Sequence, residues 1–235
     1  MAQYSTATTA RTRAEVLNVF MRGVYQWMGG GLLVTAIMAY LVASSQPLLQ
    51  FIYGNMLVFW GLIIGELVLV FVLSGAIQRL SAGAASGLFL LYSALNGATL
   101  SFIFLAYTQA SIVRTFVVCA AMFGAMSLYG LTTKRDLTSF GSFLFMGLIG
   151  ILIASVVNIF MKSSVMDFVI SGIGVLVFTG LTAYDTQKLS LMGESLPADD
   201  ATAVRRGTIL GALSLYLDFI NLFLMLLRLF GSSRD

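Results

Sequence analysis

Four ionisable side chains stand inside long apolar runs of this chain: Glu66, Asp185, Asp218 and Arg228. An ionisable group at bilayer depth costs about 2.5–3.5 kcal/mol on insertion scales, so each is a functional candidate by default. Two carboxylates brought close together in low dielectric cannot both ionise cheaply, and such a pair shares a proton near neutral pH. The chemistry open to Asp185 and Asp218 is therefore proton exchange and weak cation binding. Glu66, in WGLIIGELVLVF, has no basic residue within two turns. It is either protonated or turned toward a polar cavity or cation path. A neutral packing role for Glu66, and an interfacial capping role for Asp185, are the plainer readings beside these.

The absences narrow the chemistry further. The chain has no histidine, which removes imidazole acid–base work, histidine-ligated zinc and any Ser-His-Asp triad. The single cysteine, Cys119, lies in an apolar run, reads as a small packing residue and allows no intrachain disulfide.

These carboxylates need helices to hold them at depth. Of the 235 residues, 59% are hydrophobic and only 10% charged, with a mean hydropathy of +0.95. Soluble domains average about 25% charged residues, so this composition excludes soluble, disordered and nucleic-acid-binding classes despite a net charge of +3. It predicts an all-α, polytopic membrane protein with the lipid bilayer as its first partner. Seven spans are expected, roughly at 28–44, 56–77, 84–106, 112–132, 140–160, 166–187 and 209–230. Residues 1–27 form a polar and amphipathic cytoplasmic tail, flexible over Ser5–Thr12. No apolar stretch marks a cleaved signal peptide. The transmembrane domain covers 28–231. Within it the charged loop 188–208, with Pro197, is either flexible or a pair of helix extensions broken at the proline.

Lysine and arginine bias sets the orientation. Nine of the 13 basic residues fall on the side of the N-terminus, which places that end in the cytoplasm and the C-terminus outside. The last span carries a stripe at steps of three and four: Gly207, Gly211, Ser214, Asp218, Asn221, Met225 and Arg228. A helix facing lipid all round needs no such stripe, so it faces other helices or a watered cavity. Ser214 and Asn221 read as supporting polar contacts or as a hydrogen-bonded seam between helices. Ser93, Asn96, Thr99 and Ser101 make span three an interior wall. Gly61 and Gly65, Gly83 and Gly87, and Gly207 and Gly211 are three small-xxx-small pairs, a signal of close packing.

The segments FTGLTAYDTQKL (178–189) and LSLYLDFINLFLMLLRLFG (213–231) resemble the Bax inhibitor motif family of membrane proteins. TKRDLTSFGSFLFMGLIGI (133–151) and GATLSFIF (97–104) are similar to its bacterial branch. The resemblance implies seven helices with the last one central between two three-helix layers, in the bacterial inner membrane. It implies a pH-sensitive calcium leak governed by a hydrogen-bonded aspartate pair, here Asp185 and Asp218, with calcium held weakly and transiently. Glu66 matches a pore-lining acid, Thr182, within FTGLTAYDTQKL, is a supporting polar contact, and Arg79 is what the chain offers for an arginine latch. No cofactor is implied, calcium being the permeant ion, and no enzymatic activity. The alternative the resemblance offers is a regulator that binds a membrane-anchored ATP-dependent protease, with the N-terminal tail as its handle. An intramembrane aspartyl protease fits poorly, because Leu215-Tyr-Leu-Asp218 replaces the glycines such a site needs. A retinal protein is excluded, because the last span has no lysine. A proton-coupled transporter would show broken helices and internal repeats.

Overall fold

The computed structural model describes residues 2–196 and 200–232, with side chains described from Glu15 onward. Among the described residues there is no strand. The elements are α1 (Ala2–Ala43), α2 (Gln46–Tyr53), α3 (Met56–Gly75), α4 (Ala82–Leu100), α5 (Ile103–Ala106), α6 (Gln109–Thr132), α7 (Thr138–Met161), α8 (Ser164–Ser195) and α9 (Ala201–Phe230), with a 3₁₀ turn at Ile77–Arg79. Seven stretches are long and apolar enough to cross a bilayer: Glu15–Ala43, Met56–Gly75, Ala82–Ala106, Gln109–Thr132, Thr138–Met161, Ser164–Ser195 and Ala201–Phe230. The chain is an all-α polytopic membrane protein.

Three boundaries differ from expectation, each for a local reason. α1 runs from Ala2, well before the expected start near 28 and through the stretch expected to be flexible, and among the described residues its long apolar stretch is Glu15–Ala43. Phe20, Met21, Val24 and Met28, at helical spacing, are all buried, so packing carries the helix through residues whose average polarity is high. The uncharged connection after the first span folds as α2, with Pro47 in its first turn, where a missing N–H costs nothing. Span three breaks after Leu100, and the Tyr53 hydroxyl stitches the break. It donates to Thr99 O (2.9 Å) and accepts from Phe102 N–H (3.1 Å). Of the two readings of 188–208, helix extension describes most of the stretch: α8 continues to Ser195 and α9 starts at Ala201. Asp200 caps α9 by accepting from Ala203 N–H (2.8 Å). Pro197 lies outside the described residues.

The chain divides into two compact units, Met1–Leu105 with Leu189–Tyr216, and Ala106–Lys188 with Leu217–Asp235. In the first unit α1 lies along α4 in close approach. A Cβ on Gly31 would fall 2.6 Å from the Phe89 ring, and one on Gly97 would fall 2.4 Å from Thr35 O. Phe89 and Tyr92 meet the Tyr216 ring edge-on, with centroids 5.8 and 5.7 Å away. In the second unit Phe219 is flanked edge-on by Phe116 (5.5 Å) and Phe123 (5.4 Å), and Gly174 of α8 takes the Met225 side chain.

Burial is uneven. Two thirds of the α9 span (67%) is buried, against 6% for α3, whose Leu57 and Phe71 stand outward as expected of a lipid-facing helix. Of the three small-xxx-small pairs, only Gly207 and Gly211 pack, against Phe20, Leu196, Leu189 and Val24. A Cβ on Gly61, Gly65, Gly83 or Gly87 would meet nothing within 4 Å among the described residues.

Candidate functional site

The segment Tyr184-Asp-Thr-Gln187 is held from three sides within the second unit. Tyr184 lies on Gly141 of α7, where a Cβ would run into its ring, and a Cβ on Gly130 of α6 would run into the Ala183 carbonyl. Any larger residue at either glycine pushes α8 away, so both glycines set where Asp185 stands. Thr186 Oγ1 donates to Ser127 Oγ (3.4 Å). Gln187 ties the helix to the loop before α7, accepting from Leu137 N–H (2.9 Å) and donating to Arg135 O (2.8 Å). In that loop Asp136 accepts from Thr138 N–H (2.8 Å). The Thr138 hydroxyl and amide together hold its carboxyl below the ordinary value of 3.8.

Asp218 lies across from this segment on α9. Gly174 meets Met225, and Leu189 meets Gly211, so α8 and α9 run antiparallel with an almost constant register. That register leaves Asp185 and Asp218 about one turn, roughly 6 Å, apart in depth. α9 achieves this by starting at Ala201, two turns before the expected boundary. The two carboxylates are near enough for the charge of Asp185 to act on Asp218, and Lys188 acts in turn on Asp185. Asp218 is 5% exposed, and its Oδ2 is buried with no hydrogen-bond partner. Asp185 is half-buried. No hydrogen bond joins the two among the described residues. Among the same residues no three His, Cys, Asp or Glu side chains converge to hold a metal.

Glu66 belongs to a different polar system, in the first unit. Its Oε2 accepts from Asn96 Nδ2 (3.2 Å), and its Oε1 accepts from the Thr99 hydroxyl. The other end of the Asn96 amide, Oδ1, accepts from the Tyr216 hydroxyl (3.0 Å). That hydroxyl lies 2.6 Å from Thr35 Oγ1, either oxygen able to donate, and Thr35 also reaches Ser93 O (2.8 Å) and Gly31 O (3.0 Å). Glu66, on α3, therefore ends a ladder of neutral polar groups drawn from α1, α4 and α9.

The remaining candidates sit as follows. Thr182 is fully buried and donates to Phe178 O of its own helix (2.8 Å). Asn221 likewise donates to Leu217 O (2.8 Å), and Ser214 is half-buried; neither is hydrogen-bonded to an aspartate. Arg79 is exposed at the end of the 3₁₀ turn in the first unit. Arg228 is exposed and lines a cavity of about 810 Å³ with Lys162 and Asp167. Tyr216 and Thr35 were not among the sequence candidates. Tyr216 stands off the small-and-polar stripe of α9, and its only signal was being the one polar-tipped residue among the greasy positions.

The fold and this arrangement define a multi-pass membrane protein with carboxylates buried in its spans, and the comparisons agree. Residues 17–235 match the family described as inhibitor of apoptosis-promoting Bax1, and the chain belongs to that family. It is 58% identical over 218 residues to the inner membrane protein YbhL of Escherichia coli K12, covering 93% of each chain. An uncharacterized protein of Borreliella burgdorferi is 49% identical over 228 residues, 97% of this chain and 98% of its own length. An uncharacterized membrane protein of Streptococcus pyogenes is 42% identical over 225 residues, 94% of this chain and 96% of its own. With seven spanning helices and these relatives, the chain is a multi-pass inner-membrane protein.

Proposed function

We propose that this protein is a pH-dependent calcium leak channel of the inner membrane rather than an enzyme, with Asp185 and Asp218 as its proton switch. The observation that carries the reading is Asp218: a carboxyl buried in a spanning helix, one oxygen without a partner, within reach of the charge of a second carboxyl. At lower pH a shared proton holds α8 and α9 together. As pH rises the last proton leaves, like charges repel, and a passing cation relieves the repulsion. Calcium takes six to eight oxygens in tight sites, so two carboxylates make only a weak, transient site, as permeation requires. Glu66 is an acid along the cation path in this reading and Arg79 a latch. The orientation has the N-terminus in the cytoplasm and the C-terminus outside, which puts the loop gripped by Gln187 on the cytoplasmic side.

The test is calcium flux into proteoliposomes at about pH 6 and pH 8. Wild-type flux is expected to rise with pH. Asp185→Asn and Asp218→Asn each flatten the response, and the double variant is no worse than either single one, because the two side chains act as one titrating unit. Flux equal to that of empty liposomes in every sample overturns the channel reading. The surviving alternative is then a regulator of a membrane-bound protease, with the polar beginning of α1 as the contact.

A further inference from the structure

At the end of the second unit where α7 gives way to α8 and α9 finishes lies a cavity of about 810 Å³, a size usual for small-molecule sites. Its charged lining is Lys162, Asp167 and Arg228, two cations and one anion. All three are open to water, and none is ion-paired among the described residues. One buried side chain sets two of them. Asn158, 6% exposed, accepts from Lys162 N–H at its carbonyl (2.7 Å) and from Ser163 N–H at Oδ1 (3.1 Å). Its Nδ2 donates to Ser163 O (3.2 Å) and to Asp167 Oδ1 (2.8 Å), which leaves the other oxygen of Asp167 without a partner. Lys162 has a φ of 50°, the one positive value outside glycine among the described residues. Glycine or asparagine is the ordinary residue at such a helix end, so a lysine stands here against local backbone preference. On the far wall the last turn of α9, with Arg228, is fastened to the start of α6. Thr108 N–H donates to Ser232 O (3.2 Å), Ser232 N–H donates to Ser111 Oγ (2.9 Å), and the Tyr107 ring lies on Gly231, where a Cβ would meet it at 2.6 Å.

We propose that this cavity binds a small molecule with two carboxylates and one ammonium group, the charges of an acidic amino acid. Its carboxylates meet Lys162 and Arg228, and its ammonium meets the free oxygen of Asp167. A plain dicarboxylate suits the two cations but sets negative charge against Asp167, and a plain cation meets two like charges. Because the three groups are open to water, their attraction is screened and binding is weak and salt-dependent. The proposal does not depend on ion flux.

The test titrates L-glutamate into full-length, isotope-labelled protein in mild detergent, reading the backbone amide signals of Ser163 and Ser164. A saturable shift is expected. Lys162→Gly suits the left-handed backbone and so keeps the turn, yet it raises the midpoint about threefold to fivefold, the worth of one exposed ion pair. Arg228→Gln does the same. Glutarate, which lacks the ammonium, binds about threefold more weakly than glutamate. Asp167→Asn, which keeps an oxygen for the Asn158 amide, closes that gap. Sodium sulfate at matched ionic strength gives no saturable shift. The proposal is overturned by a glutamate titration that does not saturate, or by glutarate binding as well as glutamate in the wild type. It is equally overturned by an unchanged gap in Asp167→Asn, by unchanged midpoints in Lys162→Gly and Arg228→Gln, or by sulfate reproducing the signal.

Discussion

Glu66 and Asp218 are both acids in the middle of spanning helices, yet their surroundings are opposite. Glu66 meets a ready hydrogen-bond donor at each oxygen, Asn96 and Thr99, and those donors continue to Tyr216 and Thr35. Asp218 is more deeply buried, leaves Oδ2 with nothing, and faces another acid instead of a donor. A carboxylate whose donors are supplied by the fold is part of what specifies the fold. A carboxylate left short of partners is held there at a cost, and a proton or a cation can make up the deficit. The aspartate pair is thus the better place for a switch, and Glu66 the better place for a polar group that the fold itself holds in position.

The sharpest way to break this comparison is to make both sites apolar. Glu66→Leu strands Asn96 Nδ2 and the Thr99 hydroxyl, at about 1–3 kcal/mol for each group left unsatisfied. Asp218→Leu removes a buried, under-bonded acid and replaces it with an apolar side chain of the same branching, leaving no unsatisfied polar group behind, which is neutral or stabilising. Thermal unfolding in mild detergent is therefore expected to move in different directions: a clear drop for Glu66→Leu, no drop for Asp218→Leu. A comparable loss in both would mean that Asp218 is as firmly structural as Glu66, and the contrast would fail.

A smaller effect is expected one step along the ladder. Tyr216→Phe keeps the ring between Phe89 and Tyr92 but removes the hydroxyl shared by Asn96 and Thr35. Losing that bond costs about 1 kcal/mol, read in the same unfolding measurement. Because Tyr216 serves Glu66 and not the aspartates, the slope of flux between pH 6 and pH 8 stays as in the wild type. A flattened slope would tie the two polar systems together.

How far these sites could be read from the residues alone depended on which physical signal each one used. Apolar length gave the seven spans, and spacing of three and four marked the stripe on α9. Gly207, Gly211 and Met225 of that stripe do contact neighbouring helices. The early part of α1 was obscured because Glu15, Asn18 and Arg22 dilute a segment whose Phe20 and Val24 are fully buried. Ser214 and Asn221 lie on the stripe yet are not hydrogen-bonded to the aspartates: periodicity gives a face, while a short polar side chain often satisfies itself on its own helix, as Asn221 does. Tyr216 was overlooked for the converse reason. It counts as a greasy position by its ring, and its hydroxyl reaches Asn96 and Thr35, 120 and 181 residues earlier in the chain. Gly130 and Gly141 fit the YD segment only through close approaches between helices, which no local pattern records.

The weakest effect concerns Asp136, and it separates the switch from the loop beside it. Hydrogen bonds from Thr138 hold this exposed carboxyl below 3.8, so its contribution is complete above the unfolded value and fades only as pH falls through the lower folded one. Nothing changes at Asp136 between pH 6 and pH 8, and Asp136→Asn should leave the flux response in that range intact even though Gln187 binds this loop two residues from Asp185. Its effect belongs on the acid side. Exchange of the Thr138 amide, corrected for its intrinsic rate, should be slower in the wild type than in the variant at pH 5, and the two should converge only as pH falls through the lowered folded value. A flux response that shifted with Asp136→Asn would move the pH sensor out of the membrane and into the loop, since the charge lost there is the only one that the substitution changes.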